Sequence, residues 1–161
     1  MREKILSLLE RDSRLAAKDI AVMIGSDEAA VTSEIRAMKD ERIICGFNTL
    51  INWDKTNREY VTALIEVRVT PQRGQGFDNI ASRIYRFDEV EAVYLMSGGF
   101  DLTVIVEGKS IKDIAHFVSD KLSPLDSILS TATHFVLKKY KDHGIILDKS
   151  PKSDGRMIVS P

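Results

Sequence analysis

The chain has 161 residues and a mass of 18.1 kDa, room for one ordinary domain or two small ones. Its 43% hydrophobic and 29% charged residues are a globular mixture that excludes disorder along the whole length. Lys plus Arg total 23 against 24 for Asp plus Glu, a net charge of −1, so overall charge lends nothing to a nucleic-acid partner and that case must rest on local geometry. No apolar run approaches the roughly 18–20 residues of a membrane span. Met1-Arg2-Glu3-Lys4 opens an amphipathic stretch rather than a signal peptide. Cys45 is the only cysteine, which rules out an intramolecular disulfide and a cysteine-rich zinc site. A cytoplasmic protein without a membrane partner is expected.

From Arg2 to about Arg42 the apolar spacing is helical. Ile5, Leu6, Leu8 and Leu9 form one stripe of a first helix, which Ser13-Arg14 interrupts. A second helix runs from Ala17 to about Ile24, and Gly25 suits the left-handed turn just past its end. Ser26 or Asp27 can cap a third helix, whose Val31, Ile35 and Met38 face inward at i, i+4 and i+7. The β-branched run 43–51 then reads as extended. Three short helices, a glycine turn and a strand outline a winged helix-turn-helix, or a three-helix bundle that binds nothing.

Asn52 to Glu59 is polar and suits a linker, after which the pattern changes. Tyr60 to Thr70 reads as a long strand, Pro71 to Gly76 as a loop, and Phe77 to Phe87 as a helix. Val90 to Met96 and Leu102 to Val106 read as strands joined by the turn Ser97-Gly98-Gly99. Ser110 caps a helix to about Leu122, which Pro124 stops, and Ile128 to about Lys141 is a last strand. The order β-α-β-β-α-β is the ferredoxin-like arrangement, giving an α+β fold with both helices on one sheet face. The bare face calls for cover, which a second copy supplies most simply. The expected organisation is 1–52 winged helix-turn-helix domain, 53–59 linker, 60–141 ferredoxin-like domain that self-associates, and 142–161 a flexible or partner-draped tail.

This combination resembles the Lrp/AsnC family of prokaryotic regulators. Ile5 to Arg14 is similar to the family's first helix with its closing Asp-x-Arg, and Asp19 to Gly25 to its second. Ile43 to Phe47 looks like its hydrophobic entry to the wing. Ser97-Gly98-Gly99-Phe100-Asp101-Leu102 resembles its Gly-x-Tyr-Asp turn, and Thr131 to Leu137 its Thr-x-Thr strand. The resemblance implies a sequence-specific DNA-binding transcriptional regulator, not an enzyme. It also implies a small amino-acid effector bound between dimers, and a homodimer assembling to an octamer. Two departures bear on DNA binding: Glu34 stands where the family carries a basic residue in the recognition helix, and Arg42 stands where a glycine is usual. Residues 1–52 carry eight basic and nine acidic side chains, so few phosphate contacts and salt-sensitive binding are expected per subunit. Oligomers recover affinity by multivalency.

Thr32, Ser33, Arg36 and Lys39 are the third-helix positions expected to face double-stranded DNA, Arg36 reading guanine or holding phosphate. The alternative is an ordinary solvated helix face. In the turn, Gly98 and Gly99 permit close backbone approach and Asp101 suits an ammonium group. Ser97, Gly98, Gly99, Phe100 and Asp101, with the hydroxyls of Thr131 and Thr133, are therefore the expected effector residues; the alternative is a plain hairpin turn. His116, His134 and His143 lie on different elements without metal-ligand spacing, so no metal and no cofactor are expected. Sirohaem decarboxylases look like relatives with the same two-part architecture, but their His-Asn-Tyr stretch is lacking here, where the chain has Met96-Ser97-Gly98-Gly99. A third reading is a sensor whose helix-turn-helix serves only protein contacts.

Overall fold

A computed structural model describes residues 1–70 and 76–147. The chain divides into two compact units, Met1–Leu50 and Ile51–Pro161.

The first unit holds three helices: α1 (Arg2–Arg11), α2 (Ala17–Ile24) and α3 (Glu28–Asp40). Their apolar stripes meet in a core of Ile5, Leu9, Ile20, Ala21, Val31 and Met38, with Leu6, Leu8 and Ile35 half-buried around it. Asp27 caps α3, its carboxylate accepting from the Ala30 amide at 3.1 Å. Helices α2 and α3 end in the same way. Ser26 N–H donates to Ala21 O at 2.9 Å and Gly25 N–H to Val22 O, while Ile43 N–H donates to Met38 O at 2.8 Å and Arg42 N–H to Lys39 O. Both are Schellman closures, which need one left-handed residue. Gly25 supplies it at φ 66°, and Arg42 adopts it at φ 61° despite its Cβ.

The strand expected over 43–51 does not form. Among the described residues this segment joins no β-ladder. Extended propensity alone does not make a strand: the ladder needs a second edge, and the unit otherwise consists of helices.

The second unit is built from β1 (Val61–Val69), α4 (Asp78–Ile84), β2 (Val90–Leu95), β3 (Leu102–Gly108), α5 (Ile111–Phe117) and β4 (Ile128–Phe135). The sheet order is β2-β3-β1-β4, all antiparallel. Alternation sends Ala63, Ile65, Val67, Leu102, Val104 and Val106 to one face, where Ile80 and Ile84 of α4 and Ile114 and Phe117 of α5 cover them. The other face carries Leu64 opposite Ile105 and His134, and Glu66 opposite Thr103 and Ala132. Ser110 caps α5 by accepting from the Asp113 amide. That helix continues as a π-turn, Val118–Leu122, which buries Leu122. The helix expected over 77–87 stops at Ile84, and Phe87 instead packs edge-on against Phe117 at 5.6 Å. The loop expected over 71–76 lies almost wholly outside the described residues.

The polar linker has structure of its own. Trp53–Lys55 makes a 3-10 turn, and the Arg58 guanidinium lies 4.3 Å from the Trp53 ring centre and 5.8 Å from that of Tyr60. The last strand ends at Phe135 rather than near Lys141. The start of the expected tail is folded as a small hairpin, β5 (Lys141–Asp142) with β6 (Ile145–Ile146). His143 and Gly144 turn it at positive φ, and Asn52 donates to Leu147 O. The rest of the expected tail, 148–161, lies outside the described residues.

Candidate functional site

The third helix has two faces set by its period. Val31 and Met38 are buried and Ile35 is half-buried, so the opposite stripe carries Thr32, Ser33, Arg36 and Lys39, all exposed. The four expected DNA-facing residues thus emerge together on one surface of α3. The Lys39 ammonium lies 4.9 Å from the Phe47 ring centre, which steadies it while leaving it charged. A row of hydroxyls and two cations on an exposed helix face matches what phosphate oxygens and base edges accept.

Glu34 does not belong to that surface. It stands one turn from Val31 and Met38, on the side turned to α1, and accepts from Arg2 Nε at 2.7 Å. The same guanidinium grips Glu41 with its two other nitrogens at 2.7 and 2.9 Å. That fork draws the Glu41 carboxyl below its usual value and raises Arg2 further above its own. Arg14 is likewise engaged, holding the Asp12 carboxyl down to about 2 through hydrogen bonds. Glu34, which stands where the family carries a basic residue, thus has its charge matched from α1. This arrangement escaped sequence reading because Arg2 and Glu34 are distant in the chain. Glu34 sits beside Ile35 and three positions after Val31, which was the available signal.

The turn between β2 and β3 is exposed except for Phe100 and Asp101, which are half-buried. Met96 N–H donates to Asp101 O at 2.8 Å, which closes it. Gly98 has φ 149°, a backbone that side chains rarely adopt, and nothing lies within 4 Å of where its Cβ would stand. The turn is open to close approach. Asp101, however, already has a structural task. Its N–H donates to Val67 O, and its Oδ2 accepts from Val69 N–H at 2.8 Å. Those bonds hold the turn to β1 where the β1–β4 register shifts, between Arg68 and Val69.

Thr131 and Thr133 do not join the turn within one chain. They lie opposite Val67 and Ile65 on β4, on the helix-covered face. Strand β1 separates them from β3, a span of about 10 Å at the usual strand spacing. The turn and the threonines are two separate groups on one sheet, divided by a strand. Each of the three histidines faces a carboxylate: His134 that of Glu66 on the neighbouring strand, His116 that of Asp120 four residues on, and His143 that of its neighbour Asp142.

Residues 62–146 match the Lrp/AsnC ligand binding domain. The chain is 49% identical over 159 residues to YugG, an HTH-type transcriptional regulator of Bacillus subtilis (strain 168), covering 98% of this chain and 95% of that protein. Its fold is similar to the crystal structure of the leucine response regulatory protein LrpA of Mycobacterium tuberculosis, with a TM-score of 0.73 and 18% identity over 87% of this chain and 92% of that one. It is also similar to the transcriptional regulator NMB0573 of Neisseria meningitidis, solved as an L-Met complex, with a TM-score of 0.68 and 20% identity over 86% and 89% of the two chains.

Proposed function

This chain belongs to the Lrp/AsnC family of transcriptional regulators, and from that premise we propose that it binds double-stranded DNA through the outward stripe of α3 and answers to a small amino acid. It is a helix-turn-helix transcriptional regulator whose second domain is of a ligand-binding type. The observation that carries the DNA reading is the sorting of charge on α3. Arg36 and Lys39 face outward, while Glu34 is turned to Arg2.

Support for an amino-acid effector comes from the turn, which presents an open glycine backbone beside a carboxylate, and from the methionine bound to the Neisseria meningitidis regulator. Ser97, Gly98, Gly99, Phe100 and Asp101 form one half of the pocket, and Thr131 and Thr133 form the other. Because one chain keeps these halves apart, the pocket closes where copies meet, so the ligand is read by the assembly. The sheet face with Leu64, Ile105 and Ala132 pairs two copies into a dimer, and dimers gather into octamers. The protein acts in the cytoplasm, where its DNA lies, and performs no catalysis. Effector binding alters dimer packing and hence the spacing of the DNA-reading helices, a coupling of typically about 1–3 kcal/mol.

The test is a mobility shift on the duplex next to its own gene at about 50 mM salt, where phosphate contacts are strongest. A retarded band that fades with salt is expected; none at that salt overturns the reading in favour of protein contacts alone. A melting screen of the twenty amino acids tests the effector, since a bound ligand raises the melting temperature by mass action.

A further inference from the structure

The first unit carries a second surface that DNA recognition does not use. A groove of about 510 Å³ runs between α1 and α2, with Leu8, Met23 and Ile24 as its apolar part and Lys4 and Arg11 on its α1 side. Lys4, Leu8 and Arg11 stand at i, i+4 and i+7, so one face of α1 offers a leucine between two cations. Beside the groove on α2, Val22 is 78% exposed and Met23 59%. Large apolar side chains gathered in this way on a small domain mark a contact surface, and methionine adapts to many shapes.

The charges point the same way. Among the described residues, Arg2 and Arg14 of this unit are held by carboxylates, whereas Lys4 and Arg11 have no ion-pair partner. Glu3 is the single carboxylate among the lining residues. No residue of α3 lines the groove, so a duplex seated on Thr32, Ser33, Arg36 and Lys39 leaves it open. A phosphate backbone would match the cations but would leave Val22 and Met23 against a polar surface. A helix with an apolar stripe flanked by carboxylates matches both.

We propose that the α1–α2 groove docks an acidic amphipathic helix of a protein partner, its apolar stripe on Leu8, Met23 and Ile24 and its carboxylates on Lys4 and Arg11. This gives the DNA-bound protein a contact for another protein on a surface separate from the α3 stripe, and docking does not depend on DNA binding.

The experiment uses the full chain and a fluorescent synthetic peptide of about four helical turns, with leucines along one face and glutamates beside them. Anisotropy is measured for this peptide and for a control with glutamine in place of each glutamate. Saturable, salt-sensitive binding of the glutamate peptide is expected, weakened roughly tenfold by Met23→Ser and roughly tenfold by the paired Lys4→Glu and Arg11→Glu change. The control peptide should respond to Met23→Ser but not to the charge reversal. Mobility of the promoter duplex, measured in parallel, should be unchanged by Met23→Ser, so a failure of DNA binding is scored separately from a failure of docking. All the altered residues are exposed, and Met23→Gln repeats the test while preserving helix propensity. No saturable binding up to about 1 mM overturns the proposal. So does a charge reversal that weakens DNA while Met23→Ser changes nothing, which assigns the cations to phosphate. A change in sedimentation of the peptide-free protein on Met23→Ser also overturns it, because a second copy would then be the occupant.

Discussion

The outward stripe of α3 and the 97–101 turn both come from short runs of sequence, and the fold treats them differently. On α3 the four expected residues arrive on one surface, and Glu34, the residue at odds with them, is taken to the other side by Arg2. At the turn the expected residues are divided: Asp101 is tied to β1, and Thr131 and Thr133 stand beyond that strand. The difference is one of range. A helix places side chains by a local period, so neighbours in sequence become neighbours on a face. A sheet places them by pairings between distant segments, and strand order decides who meets whom.

The largest effect that bears on this contrast is at Asp101. Replacing it with Ala leaves the Val69 N–H without its partner and should cost about 1–3 kcal/mol of stability in a urea titration. Asp101→Asn keeps an acceptor oxygen and should unfold close to the parent, while losing the melting-temperature rise given by the amino acid. Equal unfolding of the two variants would show that the bond to Val69 contributes nothing, and the turn would then be free to act as a ligand site alone.

A smaller effect separates backbone from side chain at the two matched helix ends. Arg42→Gly should stabilise by about 0.5–1 kcal/mol, since it relieves a left-handed residue at some cost in chain entropy. Gly25→Ala at the same kind of closure should destabilise by about 1 kcal/mol, with no clash to explain it because the space around Gly25 is open. A loss on Arg42→Gly would reveal a contact of the arginine side chain that outweighs the strain.

The smallest concerns Glu107, which accepts from the Tyr60 hydroxyl, a long-range contact of the sheet unit. Burial pushes its carboxyl above the ordinary 4.5. The folded protein then holds the proton more tightly than the unfolded chain, so stability falls as pH rises from 4.5 through that raised value. Glu107→Gln should match the parent near pH 4 and melt higher than it at pH 7. A variant that melts lower at pH 7 would mean that the charged carboxylate is stabilising.

What was legible in the sequence follows the same division. Helices α1 to α3, the Gly25 turn, the Asp27 cap and the βαββαβ order are all written in local spacing, and all are present. The 43–51 segment has strand composition but no edge to pair with, a fact about the rest of the unit rather than about those residues. Trp53 and Arg58 look like part of a polar linker until the guanidinium settles against the rings of Trp53 and Tyr60, and the 141–147 hairpin is too short to show a period. Arg2 joined to Glu34 and Glu41, and Asp101 joined to Val69, are pairings between distant segments that no local pattern announces.

The proposed DNA contact of α3 depends most on the sorting of Arg36 and Glu34 to opposite sides of the helix. One mobility-shift titration at about 50 mM salt tests it, comparing Arg36→Gln and Glu34→Gln on the duplex next to the gene. Arg36→Gln should weaken binding about tenfold, the loss of one good charged contact, whereas Glu34→Gln should bind within about twofold of the parent. Tightening by Glu34→Gln as large as the loss from Arg36→Gln would place both residues on the DNA face and contradict the account.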